Sequence, residues 1–333
     1  MDISQPVSTF DFETIYLDEL GHEHQRSQHQ GTSFTELLGD GAFIEMVLLP
    51  EGTGTIGSPT TEQGHMYDEE EPYAVVFAPF CMSKYPITQA QWRAVANLPK
   101  VTHALNPSPA AFKNLNKPVE QVSWFEAVEF CNRLSQQSQR AYRLPTASEW
   151  EYACRAGTNT PFFHGETLTT DVANYCGEHR HKHNSASSHK RYSGTYGRGP
   201  LGIARGETTE VGLLPSANAF GLYDMHGNVW EWCMESPRGE TREEAETYQK
   251  PVKGGSWQVS PTACRAAFHL MFVASSQTPS VGFRIVHCPT EAVLSSHGPP
   301  SSVMQSIFSN VTAGGDINIY GDITQLSNAR SNE

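Results

Sequence analysis

The side chains with the most chemical potential in this chain are its thiols, its imidazoles and one apolar cluster far along the sequence. The seven cysteines, at positions 81, 131, 154, 176, 233, 264 and 288, are odd in number, widely spread and contain no C-x-x-C pair. That pattern fits reduced thiols better than a disulfide framework, most of them serving as small core residues. His179, His181, His183 and His189 crowd one polar stretch, EHRHKHNSASSHKRYSG. Imidazoles at that density could bind a transition metal, but without flanking cysteines or carboxylates the stretch reads as a solvated loop. No Ser/His/Asp constellation and no phosphate-cradling glycine loop emerges. The apolar cluster is Phe268, Leu270, Met271 and Phe272, within the run QVSPTACRAAFHLMFVASSQTPSV between Trp257 and Gly282. In a loop such side chains either plug a core or form an exposed patch, and exposed patches mark binding sites.

The elements that must position these residues can be read from periodicity. Residues 9–20, TFDFETIYLDEL, alternate apolar and polar side chains, as does GTSFTELLGDGAFIEMVLLP after a polar His/Gln stretch, so both read as strands. The first strand either extends the main sheet or forms an accessory hairpin. Thr88 to Asn97 follows the strand-like AVVFAPFCMSKYPI with a Thr cap and helical spacing of Trp92, Val95 and Ala96. Ser123 to Gln136 places Trp124, Ala127, Val128, Cys131 and Leu134 on one helical face. Thr146 to Ala156 opens with the capping-box spacing T-A-S-E. The remainder, up to Cys288, is rich in Gly, Asn, Pro and aromatics and predicts much irregular structure. The linker-like SSHGPPSS then closes the domain.

Composition narrows the class. A chain of 333 residues with 38% hydrophobic and 10% aromatic residues can bury a core. A formal charge of −13 argues against nucleic acid as a partner, since that binding rests on Lys and Arg neutralising phosphates. Nothing in the sequence has the length of an apolar membrane span or the pattern of a leader, so the expectation is a cytoplasmic protein with no membrane partner.

Five segments in order carry a family resemblance: FCMSKYPITQAQW, PVEQVSWFEAVEFCNRLS, YRLPTASEWEYACRAG, NAFGLYDMHGNVWEWC and VKGGSW…VGFR. Together they resemble the formylglycine-generating enzyme, or sulfatase-modifying factor, family. The resemblance implies a single α+β domain of the C-type-lectin-like fold over residues 41–288, with residues 1–40 as a strand or hairpin extension and 289–333 as linker and tail. The family includes oxidases, sulfoxide synthases, inactive paralogues and binding proteins, so function must be argued from the site.

The resemblance also implies sites. Structural calcium in the family carries over to the side chains of Asp224 and Glu231 and the carbonyls of Gly227 and Val229, an oxygen set suited to a hard cation. The competing reading pairs Glu231 with a core arginine such as Arg284. A second calcium site would use Asn174 and the carbonyl of Tyr175, but its acidic partner has no counterpart in GRGPLGIARGETTEVG. The family's oxidases resemble thiol-dependent copper enzymes with two cysteines after G-G-S-[YW]. Counted from Gly254, Val259 stands at the first of those positions and Cys264 at the second; counted back from Gly282 and Phe283, Cys264 resembles a core cysteine of the family, and either way the pair is broken and copper is not expected. The 257–281 run has the position of the variable segment in proteins that resemble targets of diversity-generating retroelements.

The expectation is therefore a non-catalytic, calcium-stabilised module. Its 257–281 loop presents Trp257, Val259, Phe268, His269, Leu270, Met271 and Phe272 to a protein or peptide, and the N-terminal strands and the tail (Ile317, Ile319, Ile323) dock onto other chains. One alternative is a thiol- or copper-dependent oxidase acting on protein cysteine through Cys264. The other is a structural subunit of a sensing or defence assembly, which predicts that Phe268 to Phe272 are buried.

Overall fold

The computed structural model describes residues 7–39, 41–66, 69, 71–181, 191–234 and 248–288. The tail, with its docking segment, and His183 and His189 lie outside the described residues.

The three helices form where the sequence supplies both a cap and an apolar stripe. They are α1 (Gln89–Ala96), α2 (Trp124–Ser138) and α3 (Ala147–Arg155), and each opens on a complete capping box, from Thr88 to Gln91, Ser123 to Glu126 and Thr146 to Glu149. Each reciprocal pair satisfies two orphan N–H groups of the first turn. α2 ends on Gln139 and α3 on Ala156, both with left-handed backbone. The helices bury Trp92, Phe130 and Trp150 completely.

The strands build two principal sheets. The first runs in the order β1 (Ser8–Leu17), β2 (Glu23–Gly39), β3 (Ala42–Leu49), β6 (Phe80–Ser83), β14 (Val286–His287) and β7 (Tyr142–Arg143). The N-terminal segment thus extends the main sheet, and the polar His/Gln stretch is itself part of β2. The seam is set by Phe10 and Phe12. Their rings fill the space over Gly31 and Gly221, where any added Cβ would lie within 2.8 Å of Phe10. That contact fixes the hairpin to the glycine-rich stretch after Asn218. A two-stranded ribbon of β4 (Gly52–Ile56) and β5 (Tyr73–Phe77) lies between β3 and β6 in sequence, and β8 (Arg180–His181) pairs with β9 (Arg191–Tyr192).

The second sheet has the order β12 (His269–Val273), β11 (Gln249–Lys253), β10 (Trp230–Trp232) and β13 (Val281–Gly282). Here the expected 257–281 loop is corrected. The segment contains a 3-10 turn, Pro261–Cys264, and the five-residue strand β12, which pairs antiparallel with β11 from Lys253–His269 to Gln249–Val273. The run HLMFV carries β-favouring side chains and finds a partner edge in QKPVK, so pairing wins over an irregular course. Among the described residues no helix is long and apolar enough to cross a membrane.

Candidate ion sites and binding face

Glu231 sits in the middle of β10 and is completely buried. Arg284 donates to it through Nε (2.6 Å to Oε2) and Nη2 (2.8 Å to Oε1), and the Trp150 indole N–H adds a third bond at 2.6 Å. Arg284, also fully buried, spends its remaining donors on the carbonyls of Ser83 and Tyr223. Both oxygens of Glu231 are engaged, and a divalent cation placed there would face a guanidinium. Of the two readings of Glu231, the structure holds the arginine pair.

Asp224 is turned to a different task. Its backbone is left-handed (φ 55°) and its Oδ2 accepts the Gly212 N–H at 2.7 Å. Burial pushes its carboxyl up to about 6. Gly227 donates its N–H to the Gly254 carbonyl, and the Val229 side chain is buried. With both Glu231 oxygens held by Arg284, the set of Asp224, Gly227, Val229 and Glu231 offers a cation one carboxylate, Asp224, whose Oδ2 already accepts from Gly212.

The Asn174 neighbourhood is different in kind. The Asn174 carbonyl accepts the Asn228 N–H at 2.7 Å, and its side-chain amide donates to the Glu207 carbonyl and to Asn228 Oδ1. Asn228 Oδ1 also accepts from Thr209 N–H, and the Asn228 carbonyl accepts from Trp257 N–H. This closeness requires Gly227, because a Cβ there would stand 2.3 Å from the Asn174 carbonyl oxygen and φ is +87°. Around this knot, four buried oxygens have no hydrogen-bond partner: Asn174 Oδ1, Thr208 Oγ1, Thr209 Oγ1 and Ser256 Oγ. Unpaired buried oxygens suit a hard cation or an ordered water. Their type fits calcium, although none is a carboxylate. Nothing in the spacing of Thr208, Thr209 and Ser256 points to this neighbourhood; only the fold brings them to Asn228.

Cys264 closes the 3-10 turn and is fully buried, and burial pushes its thiol up, away from the reactive thiolate. Val259 is half-buried against two apolar clusters. All seven cysteines are free. The Cys264 carbonyl accepts from His226 Nδ1 at 2.7 Å, while His226 Nε2 accepts the Phe163 N–H at 3.1 Å. Both ring nitrogens are therefore committed to the neutral imidazole. Burial pulls the His226 pKa down to about 3 and that of nearby His164 to about 4.

The candidate ligand residues divide by strand parity. Phe268 is only 8% exposed and faces Trp230 with ring centres 6.0 Å apart. Leu270 and Phe272 also turn inward, and Phe272 meets Trp230 and Trp232. Trp257 is half-buried, its indole N–H donating to the Pro279 carbonyl and its ring set edge-on to Phe112. His269 and Met271 are half-buried on the other face of β12, beside Val273, which is 47% exposed. The edge is defined by Pro251. Its carbonyl accepts from the N–H of Cys233, the residue after β10, so in the Pro251–Met271 pair the Met271 N–H and C=O point away from β11. β12 is the outermost strand of its sheet.

A short-helix α+β core with two twisted sheets, long irregular connections and a tryptophan-lined strand at its centre defines a C-type-lectin-like protein of formylglycine-generating-enzyme type. Residues 39–288 match the sulfatase-modifying factor enzyme 1-like domain, and the chain belongs to that family. It is 28% identical over 292 residues to the chaperone protein LppX of Paenibacillus barcinonensis, covering 77% of this chain and 94% of that one. It is also 28% identical over 235 residues to the mouse formylglycine-generating enzyme, covering 65% of this chain but only 54% of the enzyme. Among solved structures, PvdO from Pseudomonas aeruginosa is similar with a TM-score of 0.57 and 26% identity, over 74% of this chain and 95% of that one. Treponema denticola variable protein 1 has the same fold with a TM-score of 0.54 and 22% identity, over 77% and 99%.

Proposed function

We propose that the protein is a non-catalytic binding module that engages a protein or peptide along the outer face and edge of β12. The observation that carries this is the strand's parity. Leu270 and Phe272 anchor β12 to the core, which leaves His269, Met271 and Val273 on a rigid strand with the backbone of Met271 directed off the sheet. A ligand strand could pair there while its side chains meet Met271 and Val273. The similarity to a chaperone over most of both chains supports a protein as the partner.

Val259 supports the non-catalytic reading, because it stands where the oxidases need a thiolate and an isopropyl group can neither bind copper nor attack sulfur. The buried, protonated Cys264 points the same way. Calcium, if it binds, would be held by the Asn174, Thr208, Thr209 and Ser256 oxygens and would brace the turn leading to Trp257. The expected site of action is the cytoplasm.

The test compares affinity capture from the native host by wild type and by Met271→Asp/Val273→Asp. A partner retained by wild type and lost by the folded variant supports the face. Identical capture by both removes β12 from the function. Copper-dependent oxygen consumption with a cysteine peptide, abolished by Cys264→Ala, would replace the binding reading with the oxidase.

A further inference from the structure

β2 outruns both of its neighbours. Its residues 23–33 pair with β1 and its residues 33–39 with β3, so the stretch from Glu23 to Gln30 has a strand on one side only. The sequence explains where β3 lets go: its register would bring Pro50 opposite Gln30, and proline has no N–H to give.

Strand parity tells which backbone groups are left over. On β1 the N–H groups of Ile15 and Leu17 donate away from the hairpin, to Ser216 Oγ and the His164 carbonyl, and the Glu13 carbonyl accepts Ala217 N–H. Odd residues of β1 thus point outward and even ones toward β2, where Phe12 pairs with His29 and Thr14 with Ser27. On β2 the N–H and C=O of Arg26, Gln28 and Gln30 consequently face the side that β3 has left, and among the described residues they have no partner. All three residues are exposed.

Open edges are ordinarily blunted by Lys, Pro or unpaired charge. Between His24 and Gly31 there is neither Lys nor Pro, and the one charge, Arg26, is held by Glu13 at 2.6 Å and Glu23 at 2.8 Å. Both faces of the run HQRSQHQ are polar. That selects against an apolar ligand strand and suits one that returns Gln, Ser and His, as the same strand of a second copy does. Antiparallel pairing centred on Arg26 would set two guanidiniums opposite each other, and pairing centred on Gln28 would put His24 of the second copy where Leu48 of β3 stands in register. Centring on Ser27 avoids both. Arg26 then faces Gln28, Gln25 faces His29, and Ser27 meets its own copy.

We propose that the bare half of β2 is a self-association edge: residues 24–30 pair antiparallel with the same residues of a second copy about a twofold axis at Ser27, joining two sheets into one. The edge belongs to the first sheet and β12 to the second, and the test needs no ligand, so it stands or falls separately from the binding face.

The experiment is sedimentation equilibrium on the full chain, with disulfide trapping to read the register. A short strand pair lies at the small end of specific interfaces, so a monomer–dimer equilibrium with Kd on the order of 10–100 μM is expected. The Ser27 pair would be a non-hydrogen-bonded one, with Cα atoms about 4.5 Å apart and within disulfide reach. Cys288, the exposed native thiol, is first replaced by Cys288→Ser. In that background Ser27→Cys should form a covalent dimer under oxidised glutathione, whereas Gln25→Cys should not, because its counterpart is His29. Gln28→Pro removes an outward N–H and no bond of the β1 ladder, so it should abolish both association and trapping with the circular dichroism unchanged. A chain that stays monomeric well above the expected Kd, association that survives Gln28→Pro, or equal trapping at positions 25 and 27 overturns the proposal.

Discussion

The Glu231 knot and the Asn228 knot lie on either side of Trp230 and solve the same problem in opposite ways. Around Glu231, every charge and lone pair that matters has a protein partner: Arg284 takes both oxygens and Trp150 reinforces one. Around Asn228, the backbone is pulled together by amide bonds, yet four side-chain oxygens are left over. The first has made its own cation from a side chain and is closed. The second has acceptors in excess and is open to water or a hard ion. The contrast shows that residue types which read as one kind of site in sequence acquire different roles from the neighbour that reaches them first.

Acid should break this comparison most strongly, and on the Asn228 side. His226 directly precedes Gly227 and Asn228, and it is buried in the neutral form with His164 nearby. Both have folded pKa values below the ordinary 6.5, at about 3 and about 4. The unfolded chain therefore binds more protons once pH drops below about 6.5, and the stabilisation present above that pH is lost progressively toward pH 4 for His164 and pH 3 for His226. At about 1.4 kcal/mol per unit and group, the two imidazoles should lower the unfolding free energy from urea titrations by about 4 kcal/mol between pH 7 and pH 5, offset by about 1 kcal/mol from Asp224, whose buried carboxyl is raised to about 6. His226→Gln should flatten part of that slope. A pH-independent midpoint would mean that neither imidazole is buried neutral.

Comparable in size is Arg284→Met. Removing the guanidinium strands Glu231 in the core, and breaking one partner of a buried pair costs about 3–5 kcal/mol. The double change Arg284→Met/Glu231→Leu should recover most of it, since well-packed apolar residues can replace such a pair. Thermal denaturation of the three proteins decides whether the knot is held by mutual charge or by shape alone. Asn228→Ala should cost less, about 1–3 kcal/mol, from the unpaired groups it leaves at Thr209 and Asn174.

Much of the scaffold was legible in sequence because its signals are local. Thr88, Ser123 and Thr146 announce the three helices through their capping partners three residues on, and the alternation of residues 9–20 announces β1. The inner and outer sides of β12 were not legible. HLMFV has no polar residue after His269 to mark a solvent face, and its pairing depends on QKPVK, which precedes it across the GGSW turn. Phe268 belongs to the core for the same non-local reason, set by where Trp230 lies. The Glu231–Arg284 pair spans 53 residues and could be named in advance only as one of two options. The oxygens at Thr208, Thr209 and Ser256 come from two separate loops, and no sequence spacing joins them.

The smallest expected effect sharpens the comparison most. If the Asn228 side accepts calcium, it does so with neutral oxygens, and EF-hand-type sites span affinities from nanomolar to about millimolar according to ligand charge and rigidity. A site without a carboxylate belongs at the weak end. At a calcium concentration about ten times Kd, linkage predicts a gain of about 1.4 kcal/mol, read as a rise of a few degrees in Tm. Asn174→Asp supplies the missing charge at the unpaired oxygen, so it should destabilise the calcium-free protein and bind the ion more tightly than wild type. Glu231→Gln should leave the calcium response unchanged, because that carboxylate already serves Arg284. If instead the response disappears with Glu231→Gln and survives Asn174→Asp unaltered, the ion competes with Arg284 for the closed knot, and the assignment of open and closed sides must be exchanged.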